Sequence, residues 1–211
     1  MKTLFFDQTE SIILFIILFI SFYINKYAMI GIIGIIIFLI FFYRIPDMQI
    51  NMSKDILSSP CSGKIIKIED LNDSYKLYIF MSPLDAHLQI IPYDGKIIKH
   101  EFITGKKRLA YKIEEDNYRS RFLTHINTNY GIIEIIQNTG VLTRRIKNNY
   151  KLNDSVKKSD ILGIIKFGSR VDLYLPLSYK PLVALGQTVI GGETIISNPN
   201  GILKISKTII K

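Results

Sequence analysis

The chain has 211 residues, of which 48% are hydrophobic and 21% charged, and its formal net charge is +9. Hydrophobic content this high excludes an intrinsically disordered chain, and the length suits one ordinary domain with an accessory segment. The single cysteine, Cys61, excludes an internal disulfide framework and a zinc site built from clustered cysteines.

Two apolar runs lie near the N-terminus, at residues 12–24 and 28–43, with a short polar break between them. Each run is shorter than the about 20 residues that a complete α-helical membrane span needs. Asp7 and Glu10 disfavour a secretory signal peptide, because its first segment is basic. Two such runs in tandem predict a transmembrane or re-entrant helical hairpin, so we interpret residues 1–50 as a membrane anchor.

The net charge is concentrated beyond these apolar runs. Residues 1–50 carry equal numbers of basic and acidic side chains, so the full excess of +9 lies in residues 51–211. A basic domain tethered to a bilayer is attracted to anionic lipid headgroups and favours the cytoplasmic side. The basic residues are dispersed and form no helix with interleaved aromatics, so nucleic acid is not an expected partner. We therefore expect a membrane protein whose domain faces the cytoplasm, at the inner membrane if the source is bacterial.

Past Pro46 the apolar pattern changes from continuous runs to alternation, which is typical of β-strands. Five short segments rich in β-branched or aromatic residues are separated by turn signals, at 63–68, 75–80, 95–98, 131–136 and 170–175. The pattern predicts one mostly β domain over residues 51–211, a sandwich or barrel-like fold with few short helices. The best helix candidate is 106–116, where apolar residues recur at helical spacing.

An internal similarity links two turn-to-strand segments. The stretch 60–67 matches the stretch 92–99 at six of eight positions. Each stretch has a glycine, Gly63 or Gly95, at the predicted start of a strand. The similarity fits two equivalent strand entries, and it is too short to establish a duplication.

The segment 163–176 contains the residues with the clearest chemical potential. From Arg170 onward apolar and polar residues alternate, which predicts a half-buried strand. Gly168 and Ser169 stand just before it, where glycine permits a strained backbone and a close approach to the peptide carbonyl. A Gly-Ser pair alone has no predictive value, so its meaning depends on the other motifs.

In this context the chain resembles the phosphatidylserine decarboxylase proenzymes, particularly their short form, over most of residues 40–197. Five ordered motifs carry the resemblance: Phe-Tyr-Arg-Ile-Pro-Asp at 42–47, Ser-Pro-Leu-Asp-Ala-His at 82–87, Gly140 with Arg-Arg-Ile at 144–146, Phe-Gly-Ser-Arg-Val-Asp at 167–172, and glycine turns at 186–187 and 191–194. The resemblance implies a membrane-anchored, pyruvoyl-dependent decarboxylase that is made as a proenzyme.

The resemblance also implies roles for particular residues. Ser169 would attack the Gly168 carbonyl, so that the proenzyme cleaves itself into chains 1–168 and 169–211, which stay associated. Ser169 would become a pyruvoyl group, the covalent cofactor, and form a Schiff base with phosphatidylserine, whose decarboxylation yields phosphatidylethanolamine. Neither a metal nor a separately bound cofactor is implied. His87 is the implied acid/base residue, and a histidine that titrates near neutral pH suits that role.

Several positions depart from the family pattern. The family usually has Ser-Pro-Ala-Asp-Gly where this chain has Ser-Pro-Cys-Ser-Gly, with Cys61 and Ser62 at the altered positions. The family's aspartate is the implied orienter of the cleavage base, and Ser62 cannot supply its charge. Cys61 is expected to be a small buried residue. His100 and His125 match no motif, and a second histidine that follows His87 in longer members is absent.

Two other functions stay open. A pseudoenzyme that keeps the anchor and the β domain, as a lipid-binding or scaffold protein, would account for these departures. It would not account for the intact motif at 167–172. A biotinyl or lipoyl carrier is suggested by the glycine-rich turns near 185–193. A carrier needs a lysine at an exposed hairpin tip, and no such tip is evident there.

Overall fold

A computed structural model describes residues 12–13, 15–20, 26–42, 44–45, 56–105, 120–140, 146–165 and 169–199. The described chain is mostly β-strand, which confirms the prediction of a mostly β domain. The helix candidate at 106–116 and the predicted boundary at residue 50 lie outside the described residues.

The elements follow one another as α1 (Lys26–Phe42), β1 (Leu57–Ser58), β2 (Gly63–Asp70), β3 (Ser74–Met81), β4 (Leu88–Ile90), β5 (Gly95–Ile103), β6 (Arg121–Thr128), β7 (Gly131–Asn138), β8 (Ile146–Asn148), β9 (Ser155–Val156), β10 (Ile161–Ile165), β11 (Ser169–Pro176), β12 (Thr188–Val189) and β13 (Ile195–Ser197). The five predicted strands correspond to β2, β3, β5, β7 and β11, and each is longer than its prediction.

Three antiparallel sheets form among the described residues. The largest has eight strands in the order β12-β2-β3-β11-β7-β6-β5-β9, and the smaller two are β4-β10-β8 and β1-β13. β11 therefore lies in the middle of the large sheet. It pairs with β3 along its whole length and with β7 from Arg170 to Tyr174.

β11 is buried on both faces, so the prediction of a half-buried strand was wrong. Val171 and Leu173 point into the apolar core, as expected. On the opposite face Arg170 and Asp172 are also buried, with two hydrogen bonds of 2.6 and 2.9 Å joining guanidinium and carboxylate. A bidentate pair satisfies both charges, which is why polar residues of a central strand can be buried.

The large sheet has an internal two-fold arrangement. The strands β12-β2-β3-β11 on one side correspond to β9-β5-β6-β7 on the other, and the pair β1-β13 corresponds to β4-β10. The register of β2 shifts just after Ile65, and that of β5 shifts just after Ile97. The amides of these two residues donate to the carbonyls of Gln187 and Asp154, each at 2.9 Å. The two similar stretches in the sequence are thus structurally equivalent strand entries.

The glycine shared by the two stretches has a steric reason. A Cβ at Gly63 would meet the Phe80 carbonyl, and a Cβ at Gly95 would meet the Asn127 carbonyl. Backbone cannot move aside as a flexible side chain can, so each strand entry accepts only glycine at this position.

The described residues before residue 43 are helical, and most of them are apolar. α1 has 17 residues and begins at Lys26, two residues earlier than the second apolar run. Most of its large apolar side chains are exposed, and only Phe42, at its end, is buried. In the part of the chain that the structure describes, no helix is both long and apolar enough to cross a membrane. The hairpin anchor stays a prediction.

Candidate active site

A tight turn follows β3 and leads the chain to His87. The amide of Ser82 donates to the Asp85 carboxylate at 2.7 Å, and the Asp85 amide donates back to the Ser82 carbonyl at 2.9 Å. The Leu84 amide donates to the Ser82 hydroxyl at 3.2 Å. Serine and aspartate side chains commonly close turns in this way. The motif at 82–87 therefore has a structural basis: its polar residues build the loop that positions the histidine.

His87 is fully buried, and its tautomer is fixed by the backbone. Its Nδ1 lies 2.8 Å from the Asp85 carbonyl oxygen, which can only accept, so Nδ1 carries the hydrogen. Nε2 then has a free lone pair and no hydrogen-bond partner among the described residues. Burial lowers the pKa of His87 to about 4, and the nearby Arg44 charge acts in the same direction. The expectation of a histidine titrating near neutral pH was therefore wrong: burial keeps His87 neutral at pH 7, which leaves the lone pair of Nε2 available.

The end of α1 forms one wall of this site. The Phe42 ring stacks on the His87 ring with centroids 4.1 Å apart and an interplanar angle of 29°. Arg44 lies with its guanidinium carbon 3.8 Å from the Phe41 ring centroid, and it donates to the carbonyls of Phe41 at 2.9 Å and Leu84 at 3.1 Å. The first motif thus connects the helix to the loop that holds the histidine.

The two ends of the predicted cleavage segment lie next to the loop 82–87, one at its last residue and one at the strand residue that precedes it. The Ile165 amide, at the end of β10, donates to the His87 carbonyl at 3.4 Å. Ser169, at the start of β11, pairs in register with Met81 at the end of β3. Residues 166–168, which include Gly168, lie outside the described residues. The fold therefore brings the backbone of Ser169 and the buried histidine to the same end of the large sheet.

Ser62 has a role in a turn. Its hydroxyl accepts a hydrogen bond of 3.1 Å from the Gly191 amide. At the equivalent position of the other half, Asp94 accepts one of 2.6 Å from the Lys158 amide. Cys61 is fully buried, as expected, and burial raises the pKa of its thiol, which makes it a poor nucleophile.

Two buried glutamines in the site were missed by the sequence analysis. Gln89 lies on β4 two residues beyond His87, and Gln137 lies on β7. Their side chains are hydrogen-bonded to each other at 3.0 Å, and both are fully buried. The sequence held a signal only for Gln89, which is the one polar residue in the apolar run 88–91, where a buried partner is expected.

The other candidates lie away from this site. His100 contacts the Thr124 hydroxyl at 3.0 Å, and His125 pairs with Glu134 at 3.3 Å, which agrees with structural roles. The arginines of the third motif, within 141–145, lie outside the described residues. Among the residues that are described, no three His, Cys, Asp or Glu side chains gather as metal ligands.

A family model described as phosphatidylserine decarboxylase matches residues 35–197. The chain belongs to the phosphatidylserine decarboxylase family. A phosphatidylserine decarboxylase proenzyme of Chlorobium phaeobacteroides is 37% identical over 171 residues, covering 77% of this chain and 80% of the relative. Proenzymes with the same name from Ehrlichia chaffeensis (38% over 178 residues, 79% of each chain) and Rickettsia typhi (36% over 181 residues, 80% of this chain and 78% of the relative) are also similar.

The region shared with the phosphatidylserine decarboxylase family includes the whole candidate site. It begins within α1 and ends with β13, so it contains the Phe42 wall, the loop 82–87 and the paired strands around Ser169. As a member of this family, the chain is a decarboxylase enzyme.

Proposed function

We propose that this chain decarboxylates phosphatidylserine to phosphatidylethanolamine, using a pyruvoyl group that it makes from its own Ser169. The observation that carries the proposal is the loop 82–87, which holds a buried, neutral histidine: the Ile165 amide donates to its last residue, and Ser169 pairs with Met81 directly before it. The names of the relatives support the choice of substrate.

Self-cleavage needs a base, and His87 has the required protonation state. Its Nε2 takes the hydroxyl proton of Ser169 as the serine oxygen attacks the carbonyl carbon of Gly168. The peptide C–N bond breaks, the nitrogen of residue 169 gains a proton, and an ester replaces the amide. Loss of the α proton of residue 169 then breaks its Cβ–Oγ bond and releases residues 1–168 as a carboxylate. Water adds to the dehydroalanine left at position 169, and ammonia leaves.

The described residues fit an amine substrate that would react with a pyruvoyl group at this position. Two buried acceptors, His87 Nε2 and Gln137 Oε1, have no partner among the described residues. They lie on elements attached to the strands around Ser169, where an amine substrate would supply donors. When present, a pyruvoyl carbonyl takes up the substrate amine and accepts the electrons released as carbon dioxide leaves.

His87 then serves the decarboxylation as a proton carrier. The headgroup of phosphatidylserine arrives as an ammonium, and it must lose a proton before its nitrogen can act as a nucleophile. A neutral His87 can accept that proton at Nε2 and return it to the α carbon after carbon dioxide departs. The Asp85 carbonyl keeps the Nδ1 hydrogen in place throughout, so the exchange occurs at one defined nitrogen.

The central position of β11 supports stable association of the cleaved chains. After cleavage before Ser169, the small chain would keep β11 between β3 and β7, β12 on β2 and β13 on β1. These pairings and the buried side chains of β11 do not depend on the peptide bond that breaks.

The apolar helix supports a membrane location. α1 exposes large side chains such as Ile30 and Ile37, and exposed apolar surface of this extent marks an interaction with lipid or protein. Because its buried end, Phe42, stacks on His87, α1 joins the candidate site to this apolar surface. We propose that residues 1–50 anchor the protein in the bilayer as a helical hairpin, with the basic domain on the cytoplasmic side at headgroup level.

A pseudoenzyme with a lipid-binding or scaffold role is the alternative. The observation in its favour is Ser62, which bonds a turn amide and brings no negative charge toward the histidine. Against it stands the Asp85 carbonyl, which already orients the His87 ring.

The direct test of this function is turnover of short-chain phosphatidylserine by the full-length protein in detergent. We expect wild type to release carbon dioxide and form phosphatidylethanolamine, and to lose activity after borohydride or hydroxylamine treatment. Ser169→Ala should be inactive. Ser155→Ala, a change at an exposed strand residue, is the matched control and should keep wild-type activity. Wild type that forms no product while remaining folded would favour the pseudoenzyme.

A further inference from the structure

A chain of hydrogen bonds runs from the His87 backbone to an amide oxygen inside the site. Gln89 Nε2 donates to the His87 carbonyl at 2.8 Å and contacts the Met81 sulfur at 3.6 Å. Gln89 Oε1 accepts from Gln137 Nε2 at 3.0 Å. Because Met81 is the register partner of Ser169, this chain lies beside the residue expected to carry the pyruvoyl group.

The orientation of both amides follows from the first bond. A carbonyl only accepts, so Gln89 must turn its nitrogen to His87 and its oxygen to Gln137. Gln137 must then turn its nitrogen to Gln89, which leaves its oxygen with no donor among the described residues, although the side chain is fully buried. A buried acceptor without a donor lowers stability, so its retention calls for a functional explanation.

The missing donor identifies a part of the substrate. The headgroup of phosphatidylserine has a phosphate and a carboxylate, which only accept, and an ammonium, which only donates. An amide oxygen therefore attracts the nitrogen and disfavours the two anionic groups. A neutral acceptor also orients the amine without holding it as an ammonium, whereas a carboxylate in the same place would stabilise the charged, unreactive form.

We propose that Gln137 Oε1 accepts a hydrogen bond from the headgroup nitrogen of the substrate, with Gln89 fixing the direction of the Gln137 amide. This inference rests on the proposed function. It makes Gln137 a substrate-binding residue, and it makes Gln89 a positioning residue.

The test compares three variants of the full chain in detergent. Gln137→Met removes the acceptor at nearly constant volume, and Gln137→Glu keeps an acceptor but adds charge. Asn138→Leu is the control: Asn138 is a buried polar residue on the same strand, and it faces the other side of the sheet because it pairs with Arg170 whereas Gln137 pairs with Val171. Four quantities are measured: cleavage by intact mass, thermal stability, KM against kcat on short-chain phosphatidylserine, and the fraction of small chain trapped with substrate by borohydride.

For Gln137→Met we expect complete cleavage and a loss in kcat/KM of about 10- to 100-fold, the size of a lost hydrogen bond to a charged group. Trapping at low substrate should fall in parallel. For Gln137→Glu we expect kcat to fall while KM does not rise. Asn138→Leu should stay within about twofold of wild type, because its side chain does not face the site.

Three outcomes would overturn the inference. One is a cleaved Gln137→Met enzyme with wild-type kcat/KM and trapping, and another is an equal loss in Gln137→Met and Asn138→Leu. If Gln137→Met does not fold, the kinetics of Gln137→Glu decide the question. A KM for Gln137→Glu above the wild-type value would contradict the substrate-binding role of Gln137. Wild type that is neither cleaved nor active overturns the proposed function itself, which is a different result from a cleaved, active wild type with an indifferent Gln137.

Discussion

The two halves of the large sheet share their strand pairing but differ in how paired strands are joined. In one half, β6 passes to β7 through a turn, and Thr128 pairs with Gly131. In the half that contains β3 and β11, Met81 and Ser169 occupy the equivalent positions. The chain between these two residues forms β5, β6 and β7 of the opposite half before it returns. The predicted cleavage site therefore lies at the position where the half with β6 and β7 has an ordinary hairpin.

The sheet is therefore the common framework of both halves, and the long connection is where the proposed chemistry would arise. Opening the hairpin at this end makes room for the loop 82–87 and its buried histidine, and the end of α1 covers that histidine. The equivalent hairpin holds Asn129 and Tyr130, and among the described residues no histidine lies against its backbone in this way. Cleavage would thus be confined to one end of a nearly symmetric sheet.

Removal of the His87 ring should have the largest effect on self-cleavage at the Ser169 end of the sheet. His87→Asn should slow self-cleavage by about 10²- to 10⁴-fold, the usual contribution of a general base. His100→Asn is the matched control, since His100 lies half-buried on β5 outside the site and should leave cleavage unchanged. The measurement is the time course of the large and small chains by mass spectrometry. Equal rates in wild type and His87→Asn would remove the base from the account.

The burial of His87 should also appear in the pH dependence of stability. Burial lowers its pKa from 6.5 to about 4, so between these pH values the unfolded chain binds more protons than the folded one. The free energy of unfolding should therefore fall as pH falls through this window, by about 3 kcal/mol from this group, and the contribution is complete above the unfolded pKa.

Urea unfolding of the uncleaved Ser169→Ala chain in detergent measures this dependence, with His87→Asn added in the same background. The variant should have a flatter profile between pH 7 and about pH 4.5, because it lacks the titrating ring. Parallel profiles for the two chains would mean that His87 is not held in a buried, neutral form.

Much of the fold and of the candidate site could be predicted from the sequence, and the predictions that failed did so for physical reasons. Alternation revealed the strands because a pleated strand exposes successive side chains to opposite faces. It misjudged β11, because the Arg170–Asp172 pair lets a polar face be buried. The pKa of His87 was misjudged because Phe42, distant in sequence, covers its ring. The Asp85 carbonyl left no signal, since a backbone atom that orients a side chain has no residue type of its own.

The two strand entries offer a sharper comparison, because one has Ser62 where the other has Asp94. Each accepts a hydrogen bond from a backbone amide at the equivalent place in its own half, so Ser62→Asp should fold with that bond retained. The added negative charge should raise the basicity of His87 and speed self-cleavage about tenfold, which corresponds to one pKa unit. Asp94→Ser is the reciprocal control and should not alter the rate. Slower cleavage in Ser62→Asp would contradict this reading of the turn.

The hairpin between β6 and β7 should not become a cleavage site even when it is given a Gly-Ser pair, so no change in cleavage is expected there. The double variant Tyr130→Gly with Gly131→Ser gives that turn a Gly-Ser pair. It should be less stable, since Gly131 has φ +116° and a Cβ there would come within 2.9 Å of the Pro176 ring. It should nevertheless stay uncut at this turn, because among the described residues no histidine is held against it as His87 is held next to the cleavage segment. A fragment that begins at residue 131 would show that the loop 82–87 is not needed.

The intact mass of the purified protein is the decisive measurement for the proposed conversion of Ser169 to a pyruvoyl group near a neutral His87. Wild type should show chains of 168 and 43 residues, with position 169 blocked to N-terminal sequencing and reactive toward hydroxylamine, while Ser169→Ala stays as one chain. A wild-type protein that runs as a single 24.3 kDa chain with an unmodified serine would contradict the account and favour the pseudoenzyme.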